Sequence, residues 1–437
     1  MMSVTGTSGE RNMTKEPHCR NPALRESFRL LVESASESLA PLNEDDLFAF
    51  LDRIEELRPS DAWIQCVQQL GADSVIAQHL GTLVGHDQSR VRIDEERVLN
   101  HLLWDCCIKR KANEDRESLF DKVYNDLESF FDSDVLLMSA TAPLAGVSAP
   151  RGTWNIDDSC RLVSLEEKEA AERFAEIVPV KMEKHSQRTW FLEPAVYVEI
   201  DTQEAKIIGQ TESRPRQPLY SNRISERVES VVTAMRLHKS GRFAIPFISS
   251  RCRNRMPFLG ITSVGFRMGA LDIFPGSFEL DDEDMRQVVA MIPLVSAAQK
   301  QTKSVLPVSF RWFNKASEET DDEDKLIALA ITAEAFFLKD AEGELSHRLA
   351  ERVALHNGVD SISKKRLYRL SKRAYDARSK LVHGAALKPQ LHSSLRNLVS
   401  QFEHELRQSL RASISQDPRT RPCDHPDRWL DLLWQVS

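Results

Sequence analysis

The 437-residue chain reads as an α+β multidomain protein. Its C-terminal part reads as an all-α four-helix bundle, preceded by an α+β domain and an N-terminal helical region. Three observations lead there. The length exceeds what one ordinary hydrophobic core supports. Short β-like runs separated by helical patterns occupy the middle of the chain. Four amphipathic helical patterns then follow one another within about 110 residues, enough for a bundle.

Residues 1–22 are polar, with no apolar run after the start, so the segment reads as a flexible lead without a secretory signal. Residues 23–132 carry helical patterns, with Leu47, Leu51 and Ile54 on one stretch and Val98, Leu102 and Ile108 on another. From 133 to 302 the character changes to runs such as VLLMSA, WFLEPAVYVEI, RFAIPFI and LGITSVGF. Helices separate them, as at Ile224 to Leu237, where Val228, Val231, Val232 and Met235 mark one face.

Residues 303–415 hold the bundle. Leu326 to Leu338 is almost wholly apolar and follows Thr320-Asp321-Asp322-Glu323, which has the Thr-x-x-Glu form of a capping box. Glu344 to His356 carries Leu345, Leu349 and Val353 on one face and is closed by Asn357-Gly358. Ser363 to His383 has a stripe of Leu367, Leu370, Ala374, Ala377 and Leu381. Gln390 to Ile414 aligns Leu391, Leu395, Leu398, Phe402, Leu406 and Leu410. In the tail, 416–437, Pro418, Pro422 and Pro426 forbid a helix until the last proline is passed. Trp429, Leu430, Leu432, Leu433 and Trp434 then suit a short amphipathic piece that docks on this chain or on a partner.

The net charge of −8 hides an asymmetry. Residues 308–415 carry 18 Lys and Arg against 15 Asp and Glu, whereas the rest carries 40 against 51. Attraction for nucleic acid therefore belongs to the bundle. The seven cysteines contain no C-x-x-C pair and fit reduced thiols in a cytoplasmic protein, with no zinc site. No apolar stretch reaches 18 residues, so no membrane span is expected. There is no P-loop, glycine-rich dinucleotide turn, His-Glu-x-x-His or internal repeat. Neither a metal nor another cofactor is expected. Asp201-Thr-Gln-Glu204-Ala-Lys206 superficially has the carboxylate-x-lysine form of metal-dependent nucleases, but such triplets are common in solvated hairpins and it is assigned no chemistry. Arg251, Arg253 and Arg255 form a basic loop that suits RNA phosphates or an acidic partner equally.

The chemistry-bearing segment is Tyr375 to Gly384. Between Ser363 and His383 stand eight cations (Lys364, Lys365, Arg366, Arg369, Lys372, Arg373, Arg378, Lys380) against one carboxylate, Asp376. That is a phosphate-attracting surface. Gly384 can take the left-handed conformation that ends a helix, which puts His383 in the last turn. A histidine that titrates near neutrality moves protons, and an arginine that never loses its charge holds a phosphate or stabilises the charge developing on it. Together Arg378 and His383 suffice for RNA cleavage without a metal. Five positions leave them roughly 140° apart on an ideal helix, so arginine's reach, local unwinding or a second subunit must close the gap. Glu334, a carboxylate on an apolar helix face, needs a cation, and Arg378 is the natural one. A backbone amide, or a snorkelled position at the helix edge, would serve Glu334 as well.

The strings "LIALAITAEAFF", "ELSHRLAERVALH" and "LYRLSKRAYDARSKLVHG", in that order, resemble the HEPN superfamily and most closely its ApeA-like branch. The hallmark of that branch is an arginine and a histidine separated by four to six residues, often as RS…HG. The resemblance covers roughly Val308 to Ile414; shorter pieces near Pro143, Leu162 and Val231 are similar to the region that precedes the bundle in ApeA-like proteins. It implies a metal-independent endoribonuclease in prokaryotic anti-phage or toxin-type defence, dimeric through the bundle, with the Arg and His of both subunits lining one cleft. Carried across, His383 is the acid/base, Arg378 holds the phosphate and Glu334 supports it. Lys372, Arg373, Ser379 and Lys380 are the expected RNA contacts. Ser379 stands where several branches carry Asn, Asp or His. A regulatory or antitoxin protein is a further expected partner. Two rivals remain: a catalytically silent module that binds RNA or a partner, and a purely structural dimerisation bundle in which Arg378 pairs with Glu334 and His383 caps the helix.

Overall fold

Backbone amides at helix starts dictate where most elements of this chain begin. The computed structural model describes residues 20–42, 47–86, 89–108, 115–177, 195–208, 220–252, 262–266, 278–339, 341, 343–384 and 394–434. It is a mixed α+β structure that divides into two compact units. One comprises the described residues within Met1–Met138, Gln203–Gln217 and Arg251–Thr262; the other comprises those within Ser139–Thr202, Pro218–Ser250 and Ser263–Ser437. The larger part of 133–302 falls in the unit that also holds the C-terminal helices.

In the first unit, α1 (Pro22–Leu39), α2 (Leu47–Leu57), α3 (Asp61–Ala72), α4 (Ser74–Ala77), α5 (Glu95–Leu103) and α6 (Arg116–Asp132) accompany a short antiparallel pair, β1 (Leu83–His86) and β2 (Ser89–Arg92). Asn21, Ser60, Asp73, Asp94 and Asp115 each accept a first-turn amide of the helix that follows. Pro22 opens α1 at the end of the expected lead; residues 1–19 lie outside the described residues. Leu24, Phe28 and Leu31 of α1, Cys66 and Leu70 of α3, and Tyr124 and Leu127 of α6 are buried. The rings of Phe28 and Tyr124 meet edge-on at 6.0 Å. Lys206 donates to the carbonyls of Phe130 and Phe131 at 2.7 and 3.0 Å and so caps the end of α6. Burial pulls its ammonium down to about 8.

Strands β3 (Val135–Pro143), β4 (Gly152–Asp157), β5 (Cys160–Ser164), β6 (Val196–Ala205), β7 (Phe247–Cys252) and β8 (Thr262–Phe266), most of whose residues belong to the second unit, form a six-stranded sheet in the order β8-β7-β3-β6-β5-β4. β4, β5 and β6 run antiparallel, with Trp154 opposite Leu162 and Leu162 opposite Val198. Tyr197 and Phe247 pack with Ala170 and Ile177 of α7 (Glu167–Ile177), and the Tyr197 hydroxyl donates to the Ala170 carbonyl at 3.0 Å. Asp201 is engaged by Arg161 at 3.2 Å. Arg253 and Arg255 lie outside the described residues.

The helices that follow are α8 (Tyr220–His238), α9 (Asp282–Gln299), α10 (Leu306–Glu318), α11 (Asp322–Phe337), α12 (Leu345–Asn357), α13 (Ser361–Val382), α14 (Leu395–Ile414) and α15 (Arg428–Trp434). Helices α11, α12, α13 and α14 all pack against one another, while α8 and α9 pack on α14 and α10. α11 begins one residue later than its sequence suggests. Asp321, not Thr320, is its cap, because a carboxylate takes the amides of both Glu323 and Asp324, at 2.8 and 3.1 Å. The expected start of the last bundle helix at Gln390 lies outside the described residues.

A chain of charges, buried at Glu403, Arg407 and Arg236, ties these helices together. Glu403 of α14 meets Lys325 of α11 at 2.7 Å and Arg407 at 2.5 Å. Arg407 then donates from Nε to the carbonyl of Arg236 on α8 at 2.8 Å, and Arg236 reaches the Asn314 carbonyl at 2.9 Å and Glu318 at 3.1 Å, both on α10. Burial disfavours the Arg407 charge, and the carboxylate of Glu403 opposes that shift.

The tail docks on its own chain. Once past Pro426 it forms α15, and Trp429 is 3% exposed. Its ring lies 5.6 Å from that of Phe337 and 6.0 Å from that of His356, with the Arg352 guanidinium 5.5 Å over it. His356 shares a hydrogen bond with the Asn357 side chain at 2.8 Å, and burial holds its imidazole below the ordinary value. Replacing Trp429 by Ala is expected to cost about 3 kcal/mol in urea unfolding followed by circular dichroism, the range for a buried aromatic. Because the folded-state pKa of His356 is depressed, the stability it contributes is complete above pH 6.5 and is lost as pH falls through the folded value. The drop in unfolding free energy on acidification from neutrality is expected to shrink in His356→Gln.

Candidate nucleic-acid interface

Asp360 starts α13 with a reciprocal capping box, accepting the Ser363 amide at 2.7 Å while the Ser363 hydroxyl accepts the Asp360 amide at 3.0 Å. Leu367, Leu370, Ala374, Tyr375 and Ala377 are buried against neighbouring helices. The charges consequently fan over the remaining face. Two of the eight cations are engaged: Arg366 with Glu405 at 3.0 Å and Arg378 with Glu334 at 3.3 Å. Lys364, Lys365, Arg369, Lys372, Arg373 and Lys380 make no ion pair among the described residues. Lys365, Arg369, Lys372 and Arg373 are exposed, Lys380 is half-buried, and Asp376 accepts from Ser346 at 3.2 Å.

At its C-terminal end α13 stops at Val382. Gly384 takes φ +68°, a conformation that costs a residue without a Cβ little, and donates to the Leu381 carbonyl at 3.1 Å. His383 is therefore the cap residue, with φ −89° and ψ 10°. Its amide is held by the Ser379 and Leu381 carbonyls and its side chain is exposed. Ser379 is half-buried.

Arg378 turns the other way, toward α11. The carboxylate of Glu334 accepts from its Nη2, the guanidinium lies 5.7 Å over the Tyr375 ring, and its buried Nε has no acceptor. Burial, and after it the charge of Glu334, pushes the Tyr375 phenol above its ordinary value. Arg378 and Glu334 are brought together; no hydrogen bond joins Arg378 to His383. Tyr375 is the member of this cluster that pattern reading passed over, although an aromatic three positions before an arginine on a helix is a signal for such stacking.

Among the described residues no group of three or more His, Cys, Asp and Glu side chains is placed to hold a metal ion. No helix among them is long and apolar enough to cross a membrane. A separate cleft of about 1490 Å³ in the same unit is lined by residues of α8, α9 and α10, including Arg236, Phe310 and Asn314, and by none of the residues of this interface. Comparison with protein-family models, with curated proteins and with solved structures found no match to this chain.

With side chains 22% and 26% exposed, Arg378 and Glu334 form a partly solvated pair, and such pairs contribute about 1 kcal/mol or less. Arg378→Ala is accordingly expected to lower the unfolding free energy in urea by no more than about 1 kcal/mol. A loss of about 3 kcal/mol or more, the signature of a broken buried pair, would assign Arg378 to the scaffold instead.

Proposed function

We propose that this chain is a metal-independent endoribonuclease of the HEPN type, with the four mutually packed C-terminal helices as its HEPN bundle. The observation that carries the reading is the end of α13. An exposed imidazole and a guanidinium with an unused buried N–H follow one another at the tip of a helix whose other charges are mostly positive. Cations along the helix draw in the RNA backbone, and Lys372, Arg373 and Lys380, with the Ser379 hydroxyl, meet it near the tip. The ribose 2′-OH attacks the adjacent phosphorus and the 5′-oxygen leaves, giving a cyclic phosphate. His383 takes or returns the proton, and Arg378 stabilises the charge on the phosphorane. A phosphate oxygen would meet the exposed part of the Arg378 side chain, while Glu334 keeps the guanidinium oriented.

In one chain Arg378 faces α11 and His383 faces solvent, so the pair converges only when a second copy adds its own helix tip. A homodimer through the bundle is therefore part of the proposal. So are a cytoplasmic role in prokaryotic defence and restraint by a regulatory or antitoxin protein; the defence role and the restraint rest on the resemblance. The second reading, a module that binds RNA or a partner without cutting it, is favoured by the absence of a hydrogen bond between Arg378 and His383. It requires salt-sensitive binding without turnover.

Incubation of the purified chain with RNA in EDTA separates the two. Cleavage that survives chelation and falls about 100-fold or more in both Arg378→Ala and His383→Ala is the expected result. Undiminished cleavage in both variants removes the assignment, and binding without cleavage leaves the second reading.

A further inference from the structure

We propose that Tyr368 is a nucleobase-stacking subsite for single-stranded RNA, one that extends the cationic face of α13 away from its Arg378 end. The inference rests on the RNA-binding part of the reading above. Tyr368 sits half-buried in the middle of α13, with Lys365 one turn before it, Lys372 one turn after it and Arg369 beside it; the three cations are exposed and make no ion pair among the described residues. Residues three and four apart on a helix are surface neighbours, so the ring is flanked along the helix by free positive charge. A cationic track interrupted by an aromatic is the arrangement that holds single strands, with phosphates on the cations and a base on the ring.

The ring is also fixed in place from a second helix. The Tyr368 hydroxyl and Nδ1 of His347, on α12, share a hydrogen bond of 2.8 Å, and the two rings lie 5.7 Å apart with their planes at 73°. A tyrosine tied down in this way has little rotamer freedom left to lose when a base arrives, which favours binding. Packing of α12 on α13 does not rest on that bond alone, since the two helices pack closely and Leu349 and Val353 on one, Leu367 and Leu370 on the other, are buried. Ten residues separate Tyr368 from Arg378, about 15 Å along the axis. The stacked base is thus one of those flanking the phosphate at Arg378, and the subsite is blind to base identity because every base has a π-face.

The test uses the full chain and an end-labelled oligouridine, with affinity read by fluorescence anisotropy at several salt concentrations. Tyr368→Ala is expected to weaken binding about 5- to 100-fold with an unchanged salt slope, because no phosphate contact is lost. Tyr368→Phe, which keeps the ring, is expected to stay within about 3-fold of the parent. Lys372→Ala is expected to reduce the salt slope by about one. Oligomers abasic at one position in turn, bound to the unaltered protein, guard against a fold defect in Tyr368→Ala: one position is expected to show the same loss. If Tyr368→Ala binds like the parent, or no abasic position matters, the subsite is overturned while the ribonuclease reading stands. Binding that depends on Tyr368 without any cleavage removes the ribonuclease and keeps the subsite. A parent chain with no affinity for the oligouridine overturns both.

Discussion

Glu403 is the residue on which the arrangement of the C-terminal helices turns. A carboxylate between packed helices must be neutralised where it stands, and Lys325 and Arg407 do so from two helices at 2.7 and 2.5 Å. Arg407 is itself almost fully enclosed, so its remaining donor needs an acceptor and finds the Arg236 carbonyl near the end of α8. Arg236 repeats the pattern on α10 through Asn314 and Glu318. Apolar stripes slide past one another at little cost, whereas a chain of enclosed donors and acceptors has one satisfactory register. That register fixes α14 against α11, and both form the bed on which α13 lies.

The same accounting divides the charges of α13 into two groups. Arg366 and Arg378 lean onto partner helices and meet carboxylates there, while the six other cations have none among the described residues. Charges of one sign left unpaired along one helix sustain a field that attracts polyanions, and the cost of holding them together is low because they are solvated. At the two ends of the helix, backbone chemistry sets the limits. Asp360 and Ser363 close the N-terminus, and Gly384, at φ +68°, releases the chain immediately after His383 and leaves the imidazole in water.

Much of the helical architecture was legible in the residues. The three-and-four spacing of Leu367, Leu370, Ala374 and Ala377 marked the face of α13 that is buried, and the prolines of the tail marked where α15 can start. Side-chain competition at a cap was harder to read: Thr320 and Asp321 are both good caps, and the carboxylate won by taking two amides. Lys206, in a triplet to which the sequence assigned no chemistry, caps α6, a role set by a helix some seventy residues earlier in the chain. The stacking of Arg378 on Tyr375 is local and could be anticipated from spacing. The sharing of a hydrogen bond between Tyr368 and His347 depends on how α12 crosses α13 and could not.

By itself the sequence determined where helices form, which of their faces avoid water, and where positive charge concentrates, because each of these follows from neighbours within a turn or two along the chain. Only the tertiary structure decided which cations are spent on carboxylates and which stay free, and that Arg378 and His383 face different surroundings. Ion pairs join residues tens of positions apart, and their existence depends on distances of a few ångströms that only packing sets.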